Sequence, residues 1–552
     1  MYDMPALDIN PNFFNHDAQA GGFFPITHIN PGLDIYAYLS GPGKNLLVEG
    51  IRGTGKTHIL KMISFQALDI YEDKKILPVY FSIAKVSEWS ETDIRLFRIQ
   101  LYANIVAQTI TTLEKHKATI GYEKSETKKA IDRIKEMFGI KTELDVDNTL
   151  NKIKDLNEKL TNELTYNSER ILEKLKAERE RGASGKFGTK TVQLSIDEIV
   201  KNLTESEIQS IGRTLAFENA SQFIVEFFKQ LEIILGCEYI LLLLDECSET
   251  SKEAQLEIFR LLKLIRGAVT PDMQKNYLYF CASVYPPYST AYPSKSSGAS
   301  FNFEPGQDAT VEYLQLDELS DEYEIFFTLL TQKRLEYIFN KPITEPIKEI
   351  FESNGAFILA AYGSNGIPRR FLEILKQAYD HLCQRASSDS EIVKISQKDV
   401  ENAIQVVAAN QILSSNKLTP EDFKIIEEII KRISWRNRKV ETENKEKDHR
   451  IPENVYFTVY RSQMTDFVNL LLQGCLHDKG RTRLKKYHKE EGVHGPLYML
   501  DLAIAAYSGA LDKRRVIEIF KHDLKENAKR GYEYCQDFDL SLFDYRKREP
   551  AE

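Results

Sequence analysis

This sequence of 552 residues lacks long hydrophobic runs and a leader-like start. Apolar runs such as Tyr239 to Leu244 are far shorter than the roughly 20 residues that a membrane-spanning helix requires. The first residues, Met1 to Pro5, lack a basic segment followed by an apolar core, so we expect no signal peptide. We therefore predict a cytoplasmic protein with no membrane partner.

Cysteine is also scarce, and acidic residues (82) outnumber Lys and Arg (73). None of the six cysteines belongs to a Cys-x-x-Cys pair, and most have apolar neighbours, which indicates reduced core thiols. The net charge of −9 excludes a uniformly basic nucleic-acid coat. Any contact with nucleic acid must therefore come from a local patch.

The strongest motif of the chain lies between Asn45 and Thr57. An apolar run typical of a buried strand leads into Gly50-x-x-x-x-Gly55-Lys56-Thr57, and a helix-like segment follows at once. This strand–loop–helix order is the context of a phosphate-binding P-loop, because glycines let backbone N–H groups converge on phosphate oxygens. The predicted phosphate-binding residues are Gly50, Ile51, Arg52, Gly53, Thr54, Gly55, Lys56, Thr57 and His58.

Two side chains of this motif have specific expected roles. Lys56 would contact the β- and γ-phosphates, and the Thr57 hydroxyl would bind Mg²⁺. The segment Phe23 to His28 either packs over an adenine ring or is a plain N-terminal arm, and the sequence leaves both readings open.

A second apolar run ends in the acid pair Asp245 and Glu246. Such a run predicts a central parallel strand whose carboxyl end reaches the nucleotide crevice. Asp245 would hold Mg²⁺, mostly through water, and Glu246 would orient the attacking water. In the alternative reading one carboxylate is a cap and the other is solvated. The preceding P-loop favours the catalytic reading.

Three further residues are candidates beside the nucleotide. Arg369 and Arg370 precede a predicted helix, Phe371 to Cys383, and can swing over a bound nucleotide, although a surface arginine pair is the alternative. Ser283 ends another predicted strand and could sense the γ-phosphate, although ordinary strand termination explains it better.

The pattern of apolar and charged segments predicts an α/β protein. Its expected parts are a P-loop NTPase core with a parallel sheet, a helical lid, a helical insertion and a C-terminal winged helix. The insertion is a partner-binding arm or a solvated helical spacer. The predicted domains are 1–113 (first part of the core with an N-terminal arm), 114–191 (insertion), 192–320 (second part of the core), 321–415 (lid) and 416–552 (winged helix).

The C-terminal region shows the element order of a winged helix. The predicted elements are a helix from Glu421 to Arg432, a charged loop from Lys439 to Arg450, a strand from Val455 to Tyr460, a helix from Arg461 to Leu476, and hairpin strands from Thr482 to Lys489 and from Pro496 to Leu502. Basic residues in the hairpin suit phosphate contact, but acids at its tip leave DNA and protein as alternative partners. The nucleic-acid candidates are Arg481, Arg483, Lys485, Lys486 and Lys489.

These motifs resemble AAA+ and related signal-transduction ATPases, with the greatest likeness to the origin-recognition initiator type. The resemblance covers roughly residues 20–110 and 200–500 and excludes the insertion. It implies ATP and Mg²⁺ as cofactors, Arg369 as the lid arginine with Arg370 as its competitor, and a homo-oligomer. It departs at Ser283, where initiators often have Asn. Arg260, Arg266 and Arg334 are all candidates for a trans-acting arginine.

The resemblance implies an ATP-hydrolysing molecular switch that couples nucleotide state to assembly and to DNA or partner binding. The alternative is the ATPase of an antiphage defence system that acts through protein partners and an effector. A third reading is a nucleotide-binding scaffold without turnover, against which the position of Glu246 argues.

Overall fold

The computed structural model describes residues 11–14, 23–29, 32–91, 94–120, 220–268, 275–314, 316–385, 394–414, 416–444, 450–459, 467–483, 494–532 and 536–538. Most of the predicted insertion and the candidates Lys485, Lys486 and Lys489 lie outside these residues. The chain divides into two compact units. One comprises residues 33–49 and 59–312, and the other comprises residues 1–32, 50–58 and 313–552.

The first unit contains a five-stranded sheet in the order β2-β3-β4-β1-β5. The pairs β2–β3, β3–β4 and β4–β1 are parallel, so these four strands end at one edge of the sheet. The strands are β1 (Leu46–Glu49), β2 (Ile76–Ser82), β3 (Tyr239–Asp245), β4 (Leu278–Val284) and β5 (Thr310–Tyr313).

The apolar content of the strands explains their positions. All seven residues of β3 are buried, as its unbroken apolar run predicts for a strand with neighbours on both sides. Pro78 lies within β2, which a strand in the interior of a sheet would not tolerate, since proline donates no backbone hydrogen bond. The outer position of β2 accommodates it.

Helices pack against this sheet and complete a shared apolar core. Ser251 caps α7 by accepting a hydrogen bond from the Ala254 N–H, as serine commonly does at a helix start. The helices of this part of the chain are α1 (Ile35–Ser40), α2 (Lys56–Asp69), α3 (Tyr71–Lys74), α4 (Ile94–Lys115), α5 (Lys117–Ile120), α6 (Ala220–Leu235) and α7 (Lys252–Arg266).

The second unit contains a helical part followed by a small sheet. Its helices are α8 (Glu322–Phe339), α9 (Pro346–Ile350), α10 (Asn354–Gly363), α11 (Pro368–Arg385), α12 (Gln397–Val407), α13 (Pro420–Asn444), α14 (Val468–Leu472), α15 (Leu502–Ser508), α16 (Val516–Glu518) and α17 (Leu524–Lys529). Its strands are β6 (Tyr456–Val459), β7 (Leu476–Arg483), β8 (His494–Leu500) and β9 (Gln536–Phe538), in the order β7-β8-β6-β9.

Two predictions for the C-terminal region are wrong. The predicted helix from Arg461 to Leu476 stops early: α14 ends at Leu472 and β7 begins at Leu476. The left-handed Gly474 (φ +69°) provides the stop, because glycine adopts this conformation without a Cβ clash. The first hairpin strand therefore begins at Leu476, earlier than the Thr482 of the predicted strand from Thr482 to Lys489.

The predicted charged loop from Lys439 onward is also wrong within the described residues. α13 continues to Asn444, since the apolar stripe of Ile426, Ile429 and Ile433 extends to the buried Val440 at helical spacing. None of the helices in the described ranges is both long and apolar enough to span a bilayer.

Candidate functional site

The P-loop folds around its own lysine. The Lys56 ammonium donates hydrogen bonds to the carbonyl oxygens of Gly50 (2.7 Å) and Ile51 (3.1 Å). A Cβ on Gly50 would lie 2.4 Å from Thr54 Oγ1, so only glycine fits there. Gly53 and Gly55 have φ values of +89° and +98°, which favour glycine at both positions. The described geometry thus favours glycine at all three of these positions.

The start of α11 packs directly on this loop. The Arg369 N–H donates to the Gly53 carbonyl at 3.3 Å. A Cβ on Gly53 would lie 2.9 Å from Ile367 Cγ2 and 3.2 Å from Arg369 Cβ. The helix begins at Pro368, which suits the first helical turn, three residues earlier than predicted. Arg369 therefore lies beside the P-loop within the same unit.

Arg370, the competing candidate, points to different partners. Its guanidinium is buried and forms an ion pair with Asp501, and it donates to the Gly474 carbonyl at 3.5 Å. Asp501 also contacts His477 Nε2 at 2.9 Å and accepts hydrogen bonds from the N–H groups of α15. In this conformation Arg370 holds α11 to the C-terminal sheet, and its contact with a nucleotide stays a prediction.

The acid pair lies at the carboxyl end of β3, in the sheet unit. Asp245 is fully buried, and Ser82 of β2 stands opposite it in the strand register. The hydroxyl groups of Tyr80 and Ser283 donate to Asp245 at 2.9 Å and 2.5 Å. Ser82 donates to Glu246 at 2.6 Å. Three hydroxyls from the neighbouring strands therefore fix both carboxylates.

Tyr80 donates from a half-buried position beside both acids. Burial and the adjacent Asp245 carboxylate raise the pKa of Tyr80 well above its ordinary value, so the phenol stays protonated. Tyr80 and Ser82 were not identified from the sequence. In β2, Tyr80 and Ser82 alternate with Phe81, so both side chains lie on the same face of the sheet near the end of β3. This alternation is the sequence signal that could have identified them.

Glu246 has a left-handed backbone, with φ of +63°. A non-glycine residue rarely adopts this conformation, which costs on the order of 1–3 kcal/mol and is often found at functional sites. The Glu246 N–H donates to Ser283 Oγ at 2.8 Å and to Asp245 Oδ1 at 3.0 Å, and these bonds stabilise the turn. Ser283 is thus a positioning residue for the acids, and its role as a phosphate sensor stays a prediction.

The N-terminal segment contacts the residue after the P-loop. The rings of His28 and His58 stack at 5.2 Å, with 3.2 Å between His58 Nε2 and His28 Nδ1, and Phe23 packs edge-on against His58. Burial lowers the pKa of His28 to about 4, so its ring is neutral at physiological pH. The expected packing over an adenine ring stays a prediction.

Oxygen ligands for a cation are present in the two predicted metal residues. Mg²⁺ prefers oxygen donors and uses one or two carboxylates together with phosphates and water. The Asp245 carboxylate and the Thr57 hydroxyl have this chemistry. The described residues contain no group of three or more His, Cys, Asp or Glu side chains that would hold a metal alone.

A cavity of about 240 Å³ adjoins the P-loop in the second unit. Arg369, Arg52 and Lys417 contribute positive charge to its wall, and Glu373 contributes a carboxylate. The cavity is therefore polar and predominantly cationic beside Arg369.

The remaining candidates have varied surroundings. Of the nucleic-acid candidates, Arg481 is exposed on β7, and Arg483 is the last residue of that strand. The three candidate lysines lie outside the described residues. Among the candidates for a trans-acting arginine, Arg260 pairs with Glu257 and Arg266 with Asp308. Arg334 is buried, donates to the Phe13 carbonyl at 2.6 Å and has a pKa lowered to about 10 by burial, so it is not placed to reach another subunit.

No protein-family model matches the sequence, and no curated protein does. Among solved structures, the ORC2 protein of Aeropyrum pernix, in ADPNP–ADP complexes, is similar at 13% identity with a TM-score of 0.38, covering 94% of this chain and 99% of that chain. The ORC1 protein of Aeropyrum pernix, in complex with DNA, is similar at 10% identity with a TM-score of 0.31, covering 90% and 91%. The structure thus resembles origin-recognition proteins. At these values the likeness says nothing of this chain's ligands, and function is inferred from its own residues.

Proposed function

We propose that this protein is a P-loop ATPase that binds ATP with Mg²⁺, hydrolyses it and works as a molecular switch. One observation carries the proposal. The glycine loop begins directly after β1, and β3 ends in two acids fixed by hydroxyls of the strands on either side. Because β1, β4 and β3 are parallel neighbours, the loop's first residue and the acids follow strand ends at the same sheet edge.

Each residue has a role that its chemistry allows. The Lys56 ammonium, which now contacts loop carbonyls, would exchange them for the β- and γ-phosphates. Thr57 and Asp245 would hold Mg²⁺, which neutralises phosphate charge when bound. Glu246 would accept a hydrogen bond from the attacking water and orient it. Arg369 would donate to phosphate from the start of α11.

The switch would use the first turn of α11. Arg369 lies against the P-loop and Arg370 is bound to Asp501, so two consecutive residues contact different parts of the second unit. A nucleotide that draws Arg369 toward its phosphates would change the position of α11 and therefore the contacts of Arg370. Nucleotide binding would thereby change the contacts between α11 and the C-terminal sheet.

The partner of the switch has two candidate classes. In the initiator-like reading the C-terminal sheet contacts DNA through basic residues such as Arg481, which is exposed. In the defence reading the same region and the insertion contact a protein effector. A DNA-binding assay with the charge-reversal variant Lys485→Glu/Lys486→Glu separates them, since phosphate contacts weaken with salt and with loss of charge.

Two substitutions test the ATPase proposal directly. Lys56→Ala should weaken ATP binding by at least tenfold, because it removes the cation at the phosphates. Glu246→Gln should retain ATP binding and lower turnover by about 100-fold or more, because an amide cannot polarise water as a carboxylate does. ATP affinity by calorimetry and phosphate release report the two effects. Unchanged affinity and turnover in both variants would refute the assignment.

A further inference from the structure

Helix α13 is fixed to the second unit by one face. Ile426, Ile429, Ile433 and Val440 are buried along this face. Between them, the buried Asn437 amide donates to the carbonyls of Asn454 (3.0 Å) and Ala510 (2.9 Å). Because these contacts define the rotation of the helix, they also define which residues face outward.

The outward face presents a tryptophan among cations. Trp435 is 65% exposed. Lys431 lies four residues before it in the sequence, and Arg438 and Lys439 lie three and four residues after it. Residues three or four apart in a helix are neighbours on its surface. The Lys439 ammonium lies 5.6 Å from the centre of the Trp435 ring. These four residues, the Trp435 face, are all exposed.

The charge of this segment differs from that of the whole chain. The whole chain has a net charge of −9, whereas residues 431–439 contain five basic residues and no acid. The basic residues are Lys431, Arg432, Arg436, Arg438 and Lys439. Acids nearby offset part of this charge, since Arg432 pairs with Glu428 at 3.1 Å and Lys439 lies 3.9 Å from Glu443. Lys431 and Arg438 remain on the exposed face beside the indole.

We propose that the Trp435 face binds single-stranded nucleic acid. The indole would stack on an unpaired base, and Lys431 and Arg438 would contact the flanking phosphates. An unpaired base is required because bases in a duplex are already stacked on both sides. A protein partner fits less well, since two of the exposed neighbours of Trp435 at helical spacing are lysines, a residue type that is depleted in protein–protein interfaces. The proposal is independent of the P-loop and of the hairpin lysines.

The chain is well suited to a direct test, because its two tryptophans are Trp89 and Trp435. In a Trp89→Phe background, Trp435 is the one source of indole fluorescence. Titration with a 15-nucleotide oligothymidine should quench this fluorescence at low salt, and the affinity should fall linearly with salt on logarithmic axes. Absence of quenching at any protein and DNA concentration up to about 100 μM, the weak limit of the usual non-specific range, would overturn the proposal.

Two variants separate stacking from charge. Trp435→Ala, followed by anisotropy of a labelled oligothymidine, should weaken binding by about 5-fold to 150-fold, the usual range for one stacked base. Lys431→Glu/Arg438→Glu should weaken binding by at least tenfold and make its salt dependence shallower by about 1.4 in logarithmic slope, for two lost phosphate contacts. Binding unchanged in both variants would refute the assignment.

A matched control is available on other helices of the same unit. Lys348→Glu/Lys398→Glu reverses two lysines whose side chains are 74% and 70% exposed, and it should leave binding unchanged. If this control weakened oligonucleotide binding equally, binding would depend on net charge rather than on a specific site, and the proposal would be overturned. So would duplex DNA that binds as tightly as the single strand without quenching Trp435, or quenching by an acidic peptide alone. ATP binding, measured in parallel, should be unaffected by all these variants.

Discussion

Asp245 and Asp501 are both fully buried carboxylates, yet their surroundings differ. Asp245 accepts hydrogen bonds from the neutral hydroxyls of Tyr80 and Ser283. Asp501 faces the Arg370 guanidinium and His477. Neutral donors orient a carboxylate without cancelling its charge, whereas an ion pair neutralises it within the protein. Asp501 therefore stabilises the fold, whereas the proposed function gives the Asp245 carboxylate to a bound cation.

The pKa values at Asp501 agree with a structural role. Burial alone would raise the pKa of Asp501, but Arg370 and the hydrogen bond from His477 outweigh it and hold that pKa below its ordinary value. Burial lowers the pKa of His477 in spite of the adjacent carboxylate, so the ring is neutral. The pair of Arg370 and Asp501 is therefore the charged pair in this contact.

The largest expected effect comes from the matched substitutions Asp501→Asn and Asp245→Asn. Asp501→Asn leaves the Arg370 charge buried without its counter-ion and should lower the free energy of unfolding by about 3–5 kcal/mol. Asp245→Asn should change that free energy by less than about 1 kcal/mol, since its partners are neutral, but should abolish Mg²⁺-dependent turnover. Denaturant titration and phosphate release measure the two. Reversed results would invalidate the comparison.

A smaller effect is expected on the pH dependence of stability, through the imidazole of His28. The folded-state pKa of His28 is lowered to about 4, below the 6.5 of an unfolded chain, so the unfolded state binds the extra proton. Stability should thus be fully present above about pH 6.5 and decrease as the pH falls toward 4. The contribution of His28 between pH 7.5 and 5 is at most about 2 kcal/mol.

Denaturant titrations at several pH values test this contribution. His28→Asn should make the decrease in stability smaller by up to that amount, while His477 continues to contribute with the same sign because its pKa is also lowered. His522, which is exposed, offers a control through His522→Asn, whose pH profile should match that of the wild type. Identical profiles for all three proteins would show that His28 titrates normally.

The smallest effect is expected from Tyr80→Phe. The variant removes one hydrogen bond to Asp245 and should cost about 1 kcal/mol in stability and about tenfold in turnover, because Ser283 still holds the other oxygen. The loss should fall on kcat rather than on ATP affinity. Tyr71→Phe, at another buried tyrosine of the same unit, is the control for loss of a phenol away from the acids. A Tyr80→Phe enzyme with unchanged kcat would remove Tyr80 from the site.

Much of the sheet unit was predictable from apolar runs. The apolar run before the glycine loop is observed as β1, the helix-like segment after the loop is α2, and the two acids lie at the end of β3 as expected. These predictions succeeded because each element carries its own pattern of burial. The partner of Arg370 was not predictable, since Asp501 lies more than 130 residues along the chain.

The helices of the second unit were harder to predict, because some of their limits depend on contacts that are distant in the sequence. The stop at Gly474 has a local signal that was overlooked, whereas the length of α13 depends on what its stripe packs against. Trp435 and its cations fell between a predicted helix and a predicted loop, so their common face was recognised only with the continuous helix. Likewise, the contact between His28 and His58 joins positions thirty residues apart with no shared periodicity.

The proline in the outermost strand of the five-stranded sheet has a consequence for self-association. A strand from a second copy that paired with β2 would find no donor at Pro78 and would leave one acceptor without a partner. Growth of the sheet across molecules is disfavoured at that border. At that edge, contacts between copies of this chain should therefore be made by side chains rather than by strand pairing.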